Sequence, residues 1–306
     1  NPVTGQVWYN TTTNVVKGAA ETTAGAWATG GALNTARSYA GGAGTYTAGL
    51  AFGGQSTTPT KTSVTETYNG SSWTSVNSMN TARRQFGGTG TQTAAITADT
   101  NTELWNGTSW SETTDLNTPR TSVMTSRGSS TSSVLVFGGI SPAPATVAVT
   151  ESWNGSAWTE VNDLNTARQV GGGAGSGNTS ALCFAGYSTT AVAITESWNG
   201  SSWTEVNDLN QARSGLGGTG TQTAAIAFAG YNAGLSPAYP TNTEIWNGTN
   251  WTEDTNLSTA GAAVGSLGTS TNALAVGGSP PVGGAFTNTE EWTGAGSPLI
   301  QTFTDS

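Results

Sequence analysis

The string Glu-x-Trp-Asn-Gly-x-x-Trp recurs along the chain, and the spacing of its copies limits the fold more than any other feature. Full copies begin at Glu103, Glu151, Glu196 and Glu244 and end at Trp110, Trp158, Trp203 and Trp251. Another copy, from Glu66 to Trp73, carries Tyr68 in the first aromatic position, and a sixth opens at Glu290 and Trp292 without its second Trp. The leading glutamates stand 37, 48, 45, 48 and 46 residues apart. A period of about 40–50 residues in β-forming sequence belongs to propeller blades rather than to a helical solenoid.

The repeat over residues 211–258 shows what one blade contains. It opens on small residues, and a second apolar run of small residues follows near Ile226 and Phe228. Both suit inner strands, where blades converge and only small side chains fit. A loop with Pro and Gly leads to Trp246, the Asn247-Gly248 turn and Trp251. Asn-Gly between two strand-like runs is a strong hairpin signal, because both turn positions favour positive φ. A two-residue loop there puts Glu244, Trp246 and Trp251 on one face, since side chains alternate along a strand. That face is expected to pack on the neighbouring blade.

Each repeat thus supplies four strands, two inner and glycine-rich, two outer and tryptophan-bearing. The expected blades cover about 35–80, 81–117, 118–165, 166–210, 211–258 and 259–296. The last lacks its outermost strand. The segment 25–34 carries Trp27 and a following Leu-Asn like the ends of other blades. Trp27 is therefore expected to pair with Trp292 and complete blade six, so that a strand from the N-terminal side closes the ring and removes open sheet edges. The expected fold is an all-β, six-bladed propeller over 20–296. Residues 1–19 are read as a connector or N-terminal arm, and 297–306 as a C-terminal tail.

The blade is similar to the kelch repeat. The double glycine of that pattern stands at Gly53-Gly54, Gly138-Gly139 and Gly277-Gly278, drifts to Ala185-Gly186 and Ala229-Gly230, and is lost in blade two at Ala98-Asp99. The near-verbatim string Thr-Glu-x-Trp-Asn-Gly-x-x-Trp-Thr-Glu-Val-Asn-Asp-Leu-Asn-Thr-Ala-Arg further resembles kelch-like repeats in structural proteins of marine tailed bacteriophages. The opening Thr4-Gly5-Gln6-Val7-Trp8-Tyr9-Asn10 resembles a segment found ahead of appended modules in tail and fibre proteins. These resemblances imply a non-enzymatic virion structural protein, such as a tail fibre, appendage or decoration, located on the extracellular particle. Its partners would be other virion proteins and a host-surface glycan or protein. The alternative is a secreted or cell-surface lectin-like or scaffold propeller outside any virion.

Composition narrows the chemistry. The 306-residue chain has 9 basic and 18 acidic residues, a net charge of −9, and only two lysines, Lys17 and Lys61. Phosphate backbones need clustered Lys and Arg, so a nucleic-acid partner is not expected. No apolar run reaches membrane-span length, so membrane insertion is not expected either. Twelve tryptophans at regular spacing argue against disorder. Cys183, the only cysteine, sits in an apolar run and reads as a buried strand residue. The chain has no histidine, which removes His-dependent nucleophilic catalysis and His-ligated metal or haem. No catalytic residue, cofactor or metal is expected.

Two further signals have bland readings. Gly87–Gly90 and Gly217–Gly220 both read Gly-Gly-Thr-Gly, but no Lys-Ser or Lys-Thr follows as a phosphate loop requires. They are read as inner-strand spacers. The acid pairs Glu253-Asp254 and Glu290-Glu291 suggest glycoside hydrolysis. Yet Glu290 shares its repeat position with Glu66, Glu103, Glu151, Glu196 and Glu244, and Arg37, Arg83, Arg120, Arg168 and Arg213 also recur. Residues repeated around a ring cannot converge on one substrate. The glutamates are expected to bond an Arg or a backbone amide in an adjacent strand. Only Arg84 and Arg127 lie off the repeat. The turn asparagines 69, 106, 154, 199 and 247 form glycosylation sequons, but the turn accounts for all five.

Insertions in repeat folds gather on one face, which is often the binding face. Here they are the connections at 55–62, 140–148, 187–193, 231–241 and 279–286. Three off-repeat aromatics lie on them, Tyr187, Tyr231 and Tyr239, and these are the candidate ligand-binding residues.

Overall fold

The computed structural model describes residues 7–11, 15–21, 24–57, 60–295 and 298–303. Six four-stranded antiparallel sheets form the body. In blade five the strands are Gly217–Gly220, Ala225–Phe228, Thr243–Trp246 and Trp251–Asp254, each paired to the next. The innermost strands of successive blades pack side by side around the axis, and that of blade six, Gly265–Gly268, packs against Gly41–Thr45 of blade one, so the ring is closed.

The small residues of the inner strands are a packing requirement. A Cβ on Gly218 would lie 2.5 Å from the Phe184 ring of blade four, and one on Gly88 2.7 Å from the Phe52 ring of blade one. The two Gly-Gly-Thr-Gly strings are innermost strands, buried throughout.

The outer hairpin differs from expectation in its turn. Trp246 pairs with Trp251, so the loop holds four residues, 247–250, instead of two. The Asn247 side chain accepts the amides of Thr249 and Asn250, both at 2.9 Å. Only Gly248 takes a positive φ, +95°. An asparagine that closes the loop with its own side chain replaces the primed turn. The same geometry recurs at Asn69, Asn106, Asn154 and Asn199. The facing is unchanged: Glu244, Trp246 and Trp251 are all buried.

Blade six is completed as the half-motifs require. Ala26–Thr29 forms its outermost strand, with Trp27 directly opposite Trp292. Trp27 also occupies the seam position of its counterparts. Each outermost-strand Trp donates its indole N–H to the threonine that begins the third strand of the preceding blade. Trp110, Trp158, Trp203 and Trp251 reach Thr65, Thr102, Thr150 and Thr195 at 3.0, 3.3, 3.1 and 3.1 Å. Trp73 reaches Thr289 at 3.0 Å and Trp27 reaches Thr243 at 2.9 Å. Trp27 also meets Phe228 edge-on at 5.0 Å, as Trp203 meets Phe137 at 4.9 Å.

The Glu–Arg series is an internal brace. Glu66, Glu103, Glu151, Glu196 and Glu244 pair with Arg37, Arg83, Arg120, Arg168 and Arg213, and all are buried. The partners lie in the connection that opens the blade rather than in a neighbouring strand. There the carboxylate also accepts backbone amides, as Glu196 does from Asn165 at 2.7 Å and Thr166 at 3.3 Å. Each brace therefore ties the third strand of a blade to the chain that leads into its first. Glu290 keeps the two amides, from Ser258 and Thr259, but Gly261 replaces the arginine.

A separate three-stranded sheet joins Val7–Asn10, Val15–Glu21 and Pro298–Phe303. The strand Val15–Glu21 runs across the sequence-based boundary at 19/20, because its pairing continues along Pro298–Phe303 as far as Glu21. Segments read as an arm and a tail thus pair with each other.

Candidate functional site

Two repeat positions, the second missing from blade two, build one end of the axis. The first is the residue two after the repeated arginine: Tyr39, Gln85, Ser122, Val170 and Gly215, with Ala263 in the blade that lacks the arginine. All six have positive φ, between +47° and +61°. Their backbones pass hydrogen bonds around the axis: Tyr39 N–H to Ala263, Ala263 to Gly215, Gly215 to Val170, Val170 to Ser122, and Ser122 to Gln85. Left-handed backbone is costly for non-glycine residues, about 1–2 kcal/mol each. The girdle of interblade bonds and the flanking braces hold it in place.

The second position follows the double glycine. There Gln55, Ile140, Tyr187, Tyr231 and Ser279 bridge to the residue just after the arginine position, Ser38, Thr121, Gln169, Ser214 and Ala262. The double glycine permits this bridge by turning the chain with two positive φ values, as at Gly53 (+60°) and Gly54 (+105°). Ala185 (+56°) and Ala229 (+59°) hold the first position of the same turn, ahead of Gly186 (+111°) and Gly230 (+120°).

These two positions surround a cavity of about 390 Å³ that contains Tyr39, Tyr187, Tyr231 and Tyr239, together with Gln85, Gln169, Ser214 and Ser279. The three tyrosines singled out in the sequence therefore meet in one place. Tyr187 and Tyr231 are 41% and 38% exposed, so their rings are presented rather than buried. Tyr231 and Tyr239 lean together with ring centres 5.0 Å apart. The Tyr39 hydroxyl is held above its ordinary pKa by burial, against the nearby charge of Arg84. Among the described residues, no carboxylate lines this cavity. Flat aromatic faces with a few amide and hydroxyl groups suit a neutral polar ligand with apolar faces, such as a sugar.

Tyr39, Gln85 and Gln169 did not stand out in the sequence. They had a signal: within a nearly verbatim repeat, the two residues after the repeated arginine change from blade to blade. The residues named for structural roles lie elsewhere, Trp27 and Trp292 in the blade-six hairpin, five glutamates in the Glu–Arg braces and Glu290 on the two backbone amides alone. The two acid pairs are split among separate tasks. Glu290 accepts the amides of Ser258 and Thr259, and Glu291 accepts the Tyr68 hydroxyl. Glu253 accepts the Asn242 amide and Asp254 the Gly25 N–H. Cys183 is fully buried, and burial pushes its thiol up to about 11.

No family model matches the chain, and no curated protein matches it in sequence. Among solved structures, the chain is similar to the one titled "Structure of YjhT". The TM-score is 0.72, with 11% identity over 89% of this chain and 99% of that one. At that identity the likeness is one of fold, and it agrees with the all-β, six-bladed propeller of this chain.

Proposed function

We propose that this chain is a non-enzymatic recognition propeller of the kelch-like type, carried as an appendage of a tailed-bacteriophage virion, and that its tyrosine-lined mouth engages a host-surface glycan. One observation carries the binding role: off-repeat aromatic and amide side chains from different blades converge on a single cavity, whereas the repeated charged residues are consumed in braces. The kelch-like and virion parts rest on the repeat wording and on the drifting double glycine. In this reading the N-terminal segment 1–19 connects the ring to neighbouring virion proteins. The test is to separate virus particles from free protein on a gradient and identify peptides of this chain in each fraction. The reading expects them with the particles, and added free propeller should block adsorption to host cells. A chain found only in the free secreted fraction, yet retained on glycans, would instead be a lectin-like module outside any virion.

A further inference from the structure

At the opposite end of the axis, the repeat is broken at one residue. Met124 pairs with Phe137 as Gly41 pairs with Phe52, so Arg127 takes the place held in the other blades by Gly44, Gly90, Gly175, Gly220 and Gly268. Those five glycines have positive φ, from +90° to +139°. In blade three the chain instead sends a guanidinium across the axis. Its Nη1 donates to the carbonyl of Gly88 in blade two at 3.0 Å, Ser266 in blade six at 3.4 Å and Gly42 in blade one at 3.5 Å. Its Nε is buried and has no hydrogen-bond partner among the described residues. Unlike the brace arginines it forms no ion pair among the described residues.

Above this guanidinium lies a cavity of about 480 Å³, walled by the turns that join the first and second strands of all six blades. Arg127 lines it, and among the described residues no carboxylate does. Desolvation lowers the Arg127 pKa to about 10, which leaves it charged at neutral pH. A cation so placed, with backbone carbonyls as its hydrogen-bond partners among the described residues, is under-compensated.

We propose that this end of the channel is an anion site, in which Arg127 binds an oxyanion group (carboxylate, sulfate or phosphate) that enters through the ring of inner turns. The planar guanidinium donor set matches such groups. The site is independent of the tyrosine mouth. The competing account is that Arg127 is only a bolt holding blades one, two, three and six together.

The test uses inorganic sulfate as probe. Wild-type protein is melted across a sulfate titration, with sodium chloride at matched ionic strength as control. A ligand that binds only the folded state raises the melting temperature saturably, whereas an excluded salt raises it without saturation. The proposal expects a saturable component in wild type, at least tenfold weaker in Arg127→Lys and absent in Arg127→Gln. An identical, unsaturable rise in all three proteins overturns it. Should the variants not fold, wild-type crystals grown without sulfate and soaked in selenate decide the matter. An anomalous peak within hydrogen-bonding reach of Arg127 supports the site, and a map with no peak there overturns it.

Discussion

Replacing Glu196 by alanine isolates one brace. The substitution removes the acceptor of four hydrogen bonds: Arg168 Nη1 and Asn165 N at 2.7 Å, Asn165 Nδ2 at 2.8 Å and Thr166 N at 3.3 Å. Arg168 is then a fully buried guanidinium whose remaining partners among the described residues are the Cys183 sulfur and carbonyl, both at 3.3 Å. Leaving one member of a buried ion pair alone costs about 3–5 kcal/mol. With an unfolding entropy of about 2.1 cal/mol/K per residue, a chain of 306 residues should lose about 5–8 °C in melting temperature. The assay is thermal unfolding by tryptophan fluorescence, repeated on Arg168→Met and on the double variant Glu196→Leu with Arg168→Met. The double variant should be more stable than either single one, because replacing a whole buried pair with apolar groups is far cheaper than halving it. Binding at the tyrosine mouth should be unchanged. A Glu196→Ala protein that melts within about 1 °C of wild type would refute the reasoning, since a 3 kcal/mol loss cannot hide in so small a shift.

Other outcomes follow from the same contacts. Deleting residues 1–34 removes Trp27 and the closing strand, and should yield aggregates with exposed sheet edges. A soluble, cooperatively melting 35–306 fragment would contradict the closure. Deleting only 1–19 should leave the ring folded but unable to join its assembly, checked by particle reconstitution. The Tyr68 hydroxyl, held up to about 12 by burial and by its bond to Glu291, is protonated in the fold above the pH at which it ionises unfolded. Its stabilisation is complete below about pH 10 and lost as pH rises toward 12. Denaturant melts across that range should fall more steeply for wild type than for Tyr68→Phe. Ala185 holds φ at +56° where three blades use glycine. Ala185→Gly should be neutral or stabilise by up to about 1 kcal/mol, read as a urea midpoint shift.

The repeat period, the strand count and the Trp27–Trp292 closure were legible because each rests on large residues at fixed spacing. The half-motif at Glu290 and Trp292 lacks a second Trp at the repeat spacing, and Trp27 lacks a first. The turn is longer than Asn-Gly implies, because the dipeptide signals a tight bend without stating whether an Asn side chain or the backbone closes it. The braces were legible as pairs but not as connections to the blade opening, since a periodic glutamate and a periodic arginine do not reveal which segment carries the partner. Tyr187, Tyr231 and Tyr239 were visible as departures from the repeat on inserted loops. Tyr39, Gln85 and Gln169 were hidden in a stretch that otherwise repeats. Their convergence depends on left-handed backbone at non-glycine residues, for which the sequence carries no marker. Arg127 was visible as off-repeat, but its reach across the axis depends on which strand position it fills.

The most direct test of the functional reading is glycan-array retention of the whole chain beside a Tyr187→Ala, Tyr231→Ala double variant. Both side chains are more than a third exposed, so the double variant should melt as wild type does. The account predicts that wild type is retained on a restricted set of glycans and that the variant binds the same set at least tenfold more weakly, a loss of about 1.4 kcal/mol or more. Equal retention of the two proteins, or no retention of wild type on any glycan, would contradict it.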